Sequence, residues 1–220
     1  MEKITESAHR EKDCVRILPV SKTHDHHIIR QAYGLGLQEF GENYADELAT
    51  KAEQLRDLRG IHWVFIGQLQ SNKIQKIVAN ADEIQSIATE KHARYIERYA
   101  AQFGKKDYPV WIVVNAGDEN SKQGARFEEL TSLCDYITHH CPTLKLQGLM
   151  AIPPAIYSDR NISPISAANI PPIYKKLRSQ ASLIGAGKLS LGMSGDLALA
   201  ITAGSDCVRI GTAIFGARPA

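Results

Sequence analysis

The sequence predicts an α/β fold, a single TIM-type (β/α)8 barrel spanning residues 1–220. Three observations carry that expectation. Short apolar runs rich in β-branched residues alternate eight times with segments of helical spacing. Strict alternation calls for parallel strands joined by right-handed crossovers. Eight such units in 220 residues suit a barrel, whose usual size begins near about 200 residues. A doubly wound open sheet is the competing architecture. It needs a glycine-rich turn after its first strand, and Val20-Ser21-Lys22-Thr23 has no glycine.

The elements follow in order. Residues 15–20 (VRILPV) form the first strand, and 28–36 a helix closed by Gly36. Residues 38–41 are the second strand. Residues 44–58 have helical spacing, with Leu48, Ala52 and Leu55 on one side. The third strand is 62–67 (HWVFIG), followed by a helix over 72–78. The fourth is 83–86 (EIQS), with a helix over 90–103. Residues 109–115 (PVWIVVN) are continuously apolar, as expected of a strand covered on both faces. A helix over 127–140, a strand over 144–150, a helix over 173–184, a strand over 188–191, a helix over 197–203 and a strand over 207–210 complete the series. Residues 152–172 hold five prolines and little periodicity, and read as a surface loop.

Composition narrows the function. Hydrophobic residues make up 44% and charged residues 23%, with a net charge of +2 spread along the chain. No basic run marks a nucleic-acid surface. No apolar stretch is long enough for a bilayer, and the first ten residues lack the apolar core of a secretory signal. A cytoplasmic monomer is expected, with no nucleic-acid or membrane partner. Cys14, Cys134, Cys141 and Cys207 form no C-x-x-C pair and match no zinc spacing. His24, His26 and His27 open a predicted helix, where they read as solvated, so no metal is expected.

In a barrel of this kind the chemistry lies where strands end. Lys22 follows the first strand beside apolar Val20. A desolvated lysine is more often neutral and able to form a Schiff base, although a solvated lysine at a strand end is the plainer reading. Gly192–Asp196 and Gly211-Thr212 follow the seventh and eighth strands, the loops with which barrels often hold phosphate. Each precedes a helix or a turn with free N–H groups, and each also reads as a plain cap.

These segments together resemble the pyridoxal phosphate (PLP) homeostasis family, also called the proline-synthetase co-transcribed family. The resemblance rests on Val20-Ser21-Lys22-Thr23, Phe40-Gly41-Glu42-Asn43-Tyr44 and the run from Phe65 to Lys73 (FIGQLQSNK). It continues through Val114-Asn115 with Glu119, Ser121, Lys122 and Gly124, then Gly148 to Pro153 (GLMAIP), Leu189 to Asp196 (LSLGMSGD) and Val208 to Gly216 (VRIGTAIFG). It covers residues 15–218 in the right order. It implies the barrel of the alanine racemase N-terminal domain, with PLP as cofactor in a Schiff base on Lys22. By the same resemblance Ser194, Gly211 and Thr212 cradle the phosphate, Arg209 faces the ring nitrogen, and Asn43 and Met193 neighbour the ring. Trp63 is followed by Val64 where the family usually has histidine, and Asp46 and Asp206 stand where it usually has other polar residues.

The resemblance implies a PLP-binding protein of vitamin B6 and amino-acid homeostasis, without turnover of its own and with apo PLP enzymes as passing partners. The alternative is a PLP-dependent racemase. Barrel racemases add a second domain that supplies a catalytic tyrosine, and the ten residues after the last strand leave no room for one. A phosphosugar enzyme would keep the anion loops and leave Lys22 without a role.

Overall fold

In a computed structural model, which describes residues 11, 14–117, 124–154 and 167–217, the eight expected strands are present and all pair in parallel. They are β1 (Arg16–Pro19), β2 (Glu39–Glu42), β3 (His62–Phe65), β4 (Glu83–Ile87), β5 (Tyr108–Val114), β6 (Leu144–Ala151), β7 (Lys188–Ser190) and β8 (Cys207–Ile210). The helices between them are α1 (His26–Gly34), α2 (Ala45–Gln54), α3 (Ile74–Asn80), α4 (Glu90–Gln102), α5 (Leu130–His140), α6 (Pro172–Ala181) and α7 (Leu197–Thr202). A last helix, α8 (Thr212–Phe215), lies where sequence periodicity gave no signal because four residues cannot show one.

Boundaries moved for local reasons. Helix α1 begins before the predicted residue 28 because the Asp25 carboxylate caps it, accepting from His27 N at 2.8 Å. Helix α2 ends at Gln54, before the predicted 58, with Leu55 at its C-cap. The predicted helix over 127–140 opens with a 3-10 turn, Phe127–Glu129.

The strand order runs β1-β8-β7-β6-β5-β4-β3-β2. The two outer members, β1 and β2, then close the ring. At the carboxyl end a single bridge joins Val20 to Gly41, with Ser21 N donating to Gly41 O at 3.0 Å. At the amino end Arg16 Nε donates to Glu39 Oε2 at 2.7 Å. The seam thus has a single backbone bridge and otherwise rests on side-chain contacts such as this ion pair. Outside the barrel a large apolar cluster unites strand residues such as Phe40, Phe65, Ile112 and Leu149 with helix residues such as Ile29, Leu48, Ile77 and Ile96.

The barrel interior departs from the usual layers of branched apolar side chains. Leu18, Val64 and Cys207 form a small apolar cluster. Beside it runs a chain of polar groups. Arg16 Nη1 donates to Glu83 Oε2 at 2.7 Å, and Gln85 Nε2 donates to Glu83 Oε1 at 2.7 Å. Ser190 Oγ donates to Gln85 Oε1 at 2.8 Å, and Arg209 Nη1 donates to Ser190 Oγ at 2.8 Å. Four strands, β1, β4, β7 and β8, are tied in this way, and Glu83, Gln85, Ser190 and Arg209 are all buried.

Burial pushes the Glu83 carboxyl upward, but His62, 3.6 Å away, and Arg16 outweigh it and hold it below its ordinary value. Such a carboxyl stabilises the fold above its unfolded pKa of about 4.3, and that contribution is lost as pH falls through the lower folded value. Arg16→Met should therefore cost about 3–5 kcal/mol near neutral pH, because Glu83 stays buried without its guanidinium. Urea unfolding should show the gap from the parent protein narrowing below about pH 4. A gap of equal size at both pH values would contradict this origin.

Candidate functional site

Lys22 sits in a tight turn that the strand end alone would not hold. Ser21 is fully buried, and its Oγ donates to Glu42 Oε1 at 2.6 Å. Lys51, from α2, reaches into the same place. Its Nζ donates to Ser21 O at 2.8 Å, to Glu42 Oε1 at 2.7 Å and to Glu47 Oε1 at 2.6 Å. Glu47 Oε1 also accepts from Thr23 N at 2.6 Å. Thr23 has φ +66°, a conformation that a β-branched residue adopts only under constraint. These contacts supply the constraint, and they leave the half-buried Lys22 on the wall of a cavity at the barrel mouth. Burial raises the Glu42 carboxyl pKa, opposed by the Lys51 ammonium beside it.

The cavity has a volume of about 250 Å³. Lys22, Asn43 and Arg209 line it, as do Met193, Ser194, Gly211 and Thr212. All seven residues singled out in the sequence thus share one space. Arg209 is buried, which lowers its pKa. Its guanidinium is held by neutral oxygens: Ser190 O and Oγ at 2.8 Å each, and Ala151 O at 2.7 Å. No carboxylate lines the cavity among the described residues, and two basic side chains, Lys22 and Arg209, lie on its wall. Asn43 Oδ1 is buried there without a hydrogen-bond partner among the described residues.

The two candidate anion loops are built differently from expectation. The helices behind them are short, α7 with six residues and α8 with four, so little macrodipole stands behind either. Hydroxyls and loop N–H groups remain. Ser194 and Thr212 are exposed at the mouth. The Asp196 carboxylate is withdrawn from the cavity, accepting from Met193 N and Tyr174 Oη at 2.7 Å each. Gly192 has φ +104°, and a Cβ there would come within 2.5 Å of the Ala200 methyl, so this bend admits only glycine. Gly67 serves a second close approach. A Cβ on it would lie 1.8 Å from Asn43 O, so its bareness sets where Asn43 stands.

Several neighbours carried no sequence signal. His24 is buried against Phe215 with ring centroids 5.4 Å apart and lines the cavity, where the sequence suggested a solvated residue. Ile66 and Met150 add apolar walls. Lys51 was invisible because it acts from a helix 29 residues beyond Lys22. His26 and His27 remain near Asp25, at 3.1 and 4.0 Å, on the surface, and that carboxylate is the cap of α1. Asp46 pairs with Lys73 and Lys76, and Asp206 with Arg178, so both departures from the family pattern serve structural ion pairs. Glu119, Ser121 and Lys122 lie outside the described residues.

The model of the alanine racemase N-terminal domain matches residues 2–219. A pyridoxal phosphate homeostasis protein of Aquifex aeolicus is 35% identical over 224 residues, covering 99% of this chain and 93% of the relative. The chain belongs to the pyridoxal phosphate homeostasis protein family. A member from Vibrio alginolyticus is 39% identical over 95% of this chain and 89% of its own. Among solved structures, PipY of Synechococcus elongatus with PLP bound is 28% identical, with a TM-score of 0.76, covering 98% of this chain and 99% of PipY. An alanine racemase of Streptomyces coelicolor, 16% identical with a TM-score of 0.68, shares the barrel over 98% of this chain and 56% of the racemase. Family membership and the barrel therefore stand together. No helix among the described residues is long and apolar enough to cross a membrane.

Lys51→Met should cost about 3–5 kcal/mol, because the fully buried Glu42 carboxyl loses the cation beside it and must hold an unpaired charge or take up a proton. Adding Glu42→Gln should recover part of that loss. A double-mutant cycle by urea denaturation checks the coupling, and strictly additive losses would mean that the two groups do not act as a pair.

Proposed function

We propose that this chain binds pyridoxal 5′-phosphate in the cavity at the barrel mouth, with its aldehyde in a Schiff base on Lys22. The observation that carries this reading is the cavity's donor set. One space holds an amine, a buried guanidinium and two exposed hydroxyls, and no carboxylate lines it among the described residues. An anionic cofactor with a carbonyl group matches each of these. Its phosphate carries a charge of roughly −1.5 to −2 at neutral pH, as phosphate monoesters do. Ser194, Gly211 and Thr212 cradle that phosphate, and Asn43 and Met193 border the ring. Bound there, PLP supplies an aldehyde that condenses reversibly with amines. Family membership and the PLP carried by PipY support the same assignment.

The role we assign is a cytoplasmic, monomeric carrier in PLP and amino-acid homeostasis, which yields the cofactor to apo-enzymes. Arg209 favours this over turnover. A cation facing the ring nitrogen disfavours its protonation and weakens the ring as an electron sink. The hydrogen bonds it donates to Ser190 and Ala151 fix that guanidinium in place, so it is not free to swing away.

Borohydride reduction of the PLP-loaded protein should fix a pyridoxyl group on Lys22, read by peptide mass analysis. The unreduced sample should leave D- and L-alanine at their starting ratio. Label on another lysine would displace Lys22, and racemisation near 1 s⁻¹ or faster would leave the enzyme alternative standing.

Ser194→Ala or Thr212→Ala should weaken PLP about ten- to a hundredfold while barely changing pyridoxal, which has no phosphate. Equilibrium titration of both ligands checks this. Equal losses for the two would place the phosphate elsewhere.

A further inference from the structure

A second cavity of about 280 Å³ opens beside the first, over the ends of β3, β4 and β5. Asn43, Ile66, Met150 and Ile152 line both. Its remaining apolar wall includes Leu69 and Val113. Three polar atoms from three different segments are buried at its lining: Asn43 Oδ1, Ser86 Oγ and His92 Nδ1. None has a hydrogen-bond partner among the described residues. Ser86 as a whole is only 5% exposed. Buried polar groups left unpaired cost about 1–3 kcal/mol each, so three around one cavity mark a place shaped for a polar guest.

The chemistry of that guest can be read from the walls. No acidic or permanently cationic side chain lines this cavity among the described residues. Burial, with a smaller effect of Lys91, lowers the pKa of His92, so its imidazole is neutral near pH 7. Among the described residues of its wall a carboxylate would find no counter-charge, and neither would an ammonium. Asn43 Oδ1 can only accept a hydrogen bond, whereas Ser86 Oγ can donate or accept. A neutral imidazole nitrogen takes either role according to its tautomer. The guest must therefore both donate and accept while staying uncharged, and its body must suit an aliphatic wall.

We infer that this cavity is a second binding site, which takes a small aliphatic molecule bearing an uncharged primary carboxamide. The amide N–H2 donates to Asn43 Oδ1, and the amide carbonyl accepts from Ser86 Oγ or from the His92 ring. Ile66, Leu69 and Val113 cover the aliphatic part. The inference stands on the cavity itself and does not rest on the cofactor assignment.

Isobutyramide is the probe, with isobutyrate and isobutylamine as charged molecules of the same shape. Calorimetry on the cofactor-free protein should show isobutyramide binding at least about tenfold more tightly than either. The His92 ring resonances should move saturably with it. Ser86→Ala and His92→Leu should each weaken the amide about tenfold, the scale of one hydrogen bond. Both variants should keep their folding transition, since each removes a group that has no partner. Absence of binding, equal binding of the charged probes, or unaltered affinity in both variants would overturn the inference. Amide binding without PLP binding would refute the cofactor reading alone, and PLP binding without amide binding would refute this site alone.

Discussion

A guanidinium buried at the mouth of a barrel must have its donors satisfied, and much of the interior follows from that requirement. Removing a cation of this kind from water costs several kcal/mol even after relaxation. Arg209 meets the cost with Ser190 and Ala151, and Ser190 is in turn fixed by Gln85, Gln85 by Glu83, and Glu83 by Arg16. The sequence thus spends interior positions of β1, β4 and β7 on polar side chains that an ordinary barrel would fill with valine or isoleucine. Buried polar networks hold their members in one arrangement when every link is made. The position of Arg209 is therefore set from the far end of the barrel as much as from its own strand.

Lys22 is placed by a different device. Its strand contributes direction, but the turn after it depends on Lys51, Glu42 and Glu47, which lie on the next β/α unit. Burying an ammonium against two carboxylates has little value for stability in itself. Its product here is geometric, a threonine held at positive φ and a neighbouring lysine facing the cavity. The two basic groups of the site are thus anchored by separate networks, one along the barrel axis and one at its rim.

The alternation of strands and helices was legible because each unit buries an apolar face, and burial leaves periodicity. Every strand was found within a few residues. The gathering of Lys22, Arg209 and the two carboxyl-end loops was legible too, since barrel topology puts all strand ends on one face. What the sequence concealed has a common physical cause. Lys51 and His24 look like ordinary surface residues, and only tertiary contact removes them from water. Glu83 and Gln85 appeared as polar interruptions of a short strand, whereas they are links in the interior chain. Helix α8 is too short for any pattern, and the bend at Gly192 depends on a methyl group eight residues away.

The uneven closure of the barrel has a mechanical meaning. Each other neighbouring pair of strands is joined within the ladder, but β1 meets β2 through one backbone bridge and side-chain links, the Arg16–Glu39 ion pair and the Ser21–Glu42 hydrogen bond among them. A ring yields where its joints are few, and this line has no ladder of its own, so part of the elastic compliance lies here. The strand that leads into Lys22 forms one lip of it, clamped by β8 on its other side. Small breathing motions of the barrel would therefore change the spacing between Lys22 and Asn43, on opposite lips, before they disturbed the distance between Lys22 and the β8 residues. A site arranged in this manner can loosen its grip on one side of a guest while the opposite wall stays rigid.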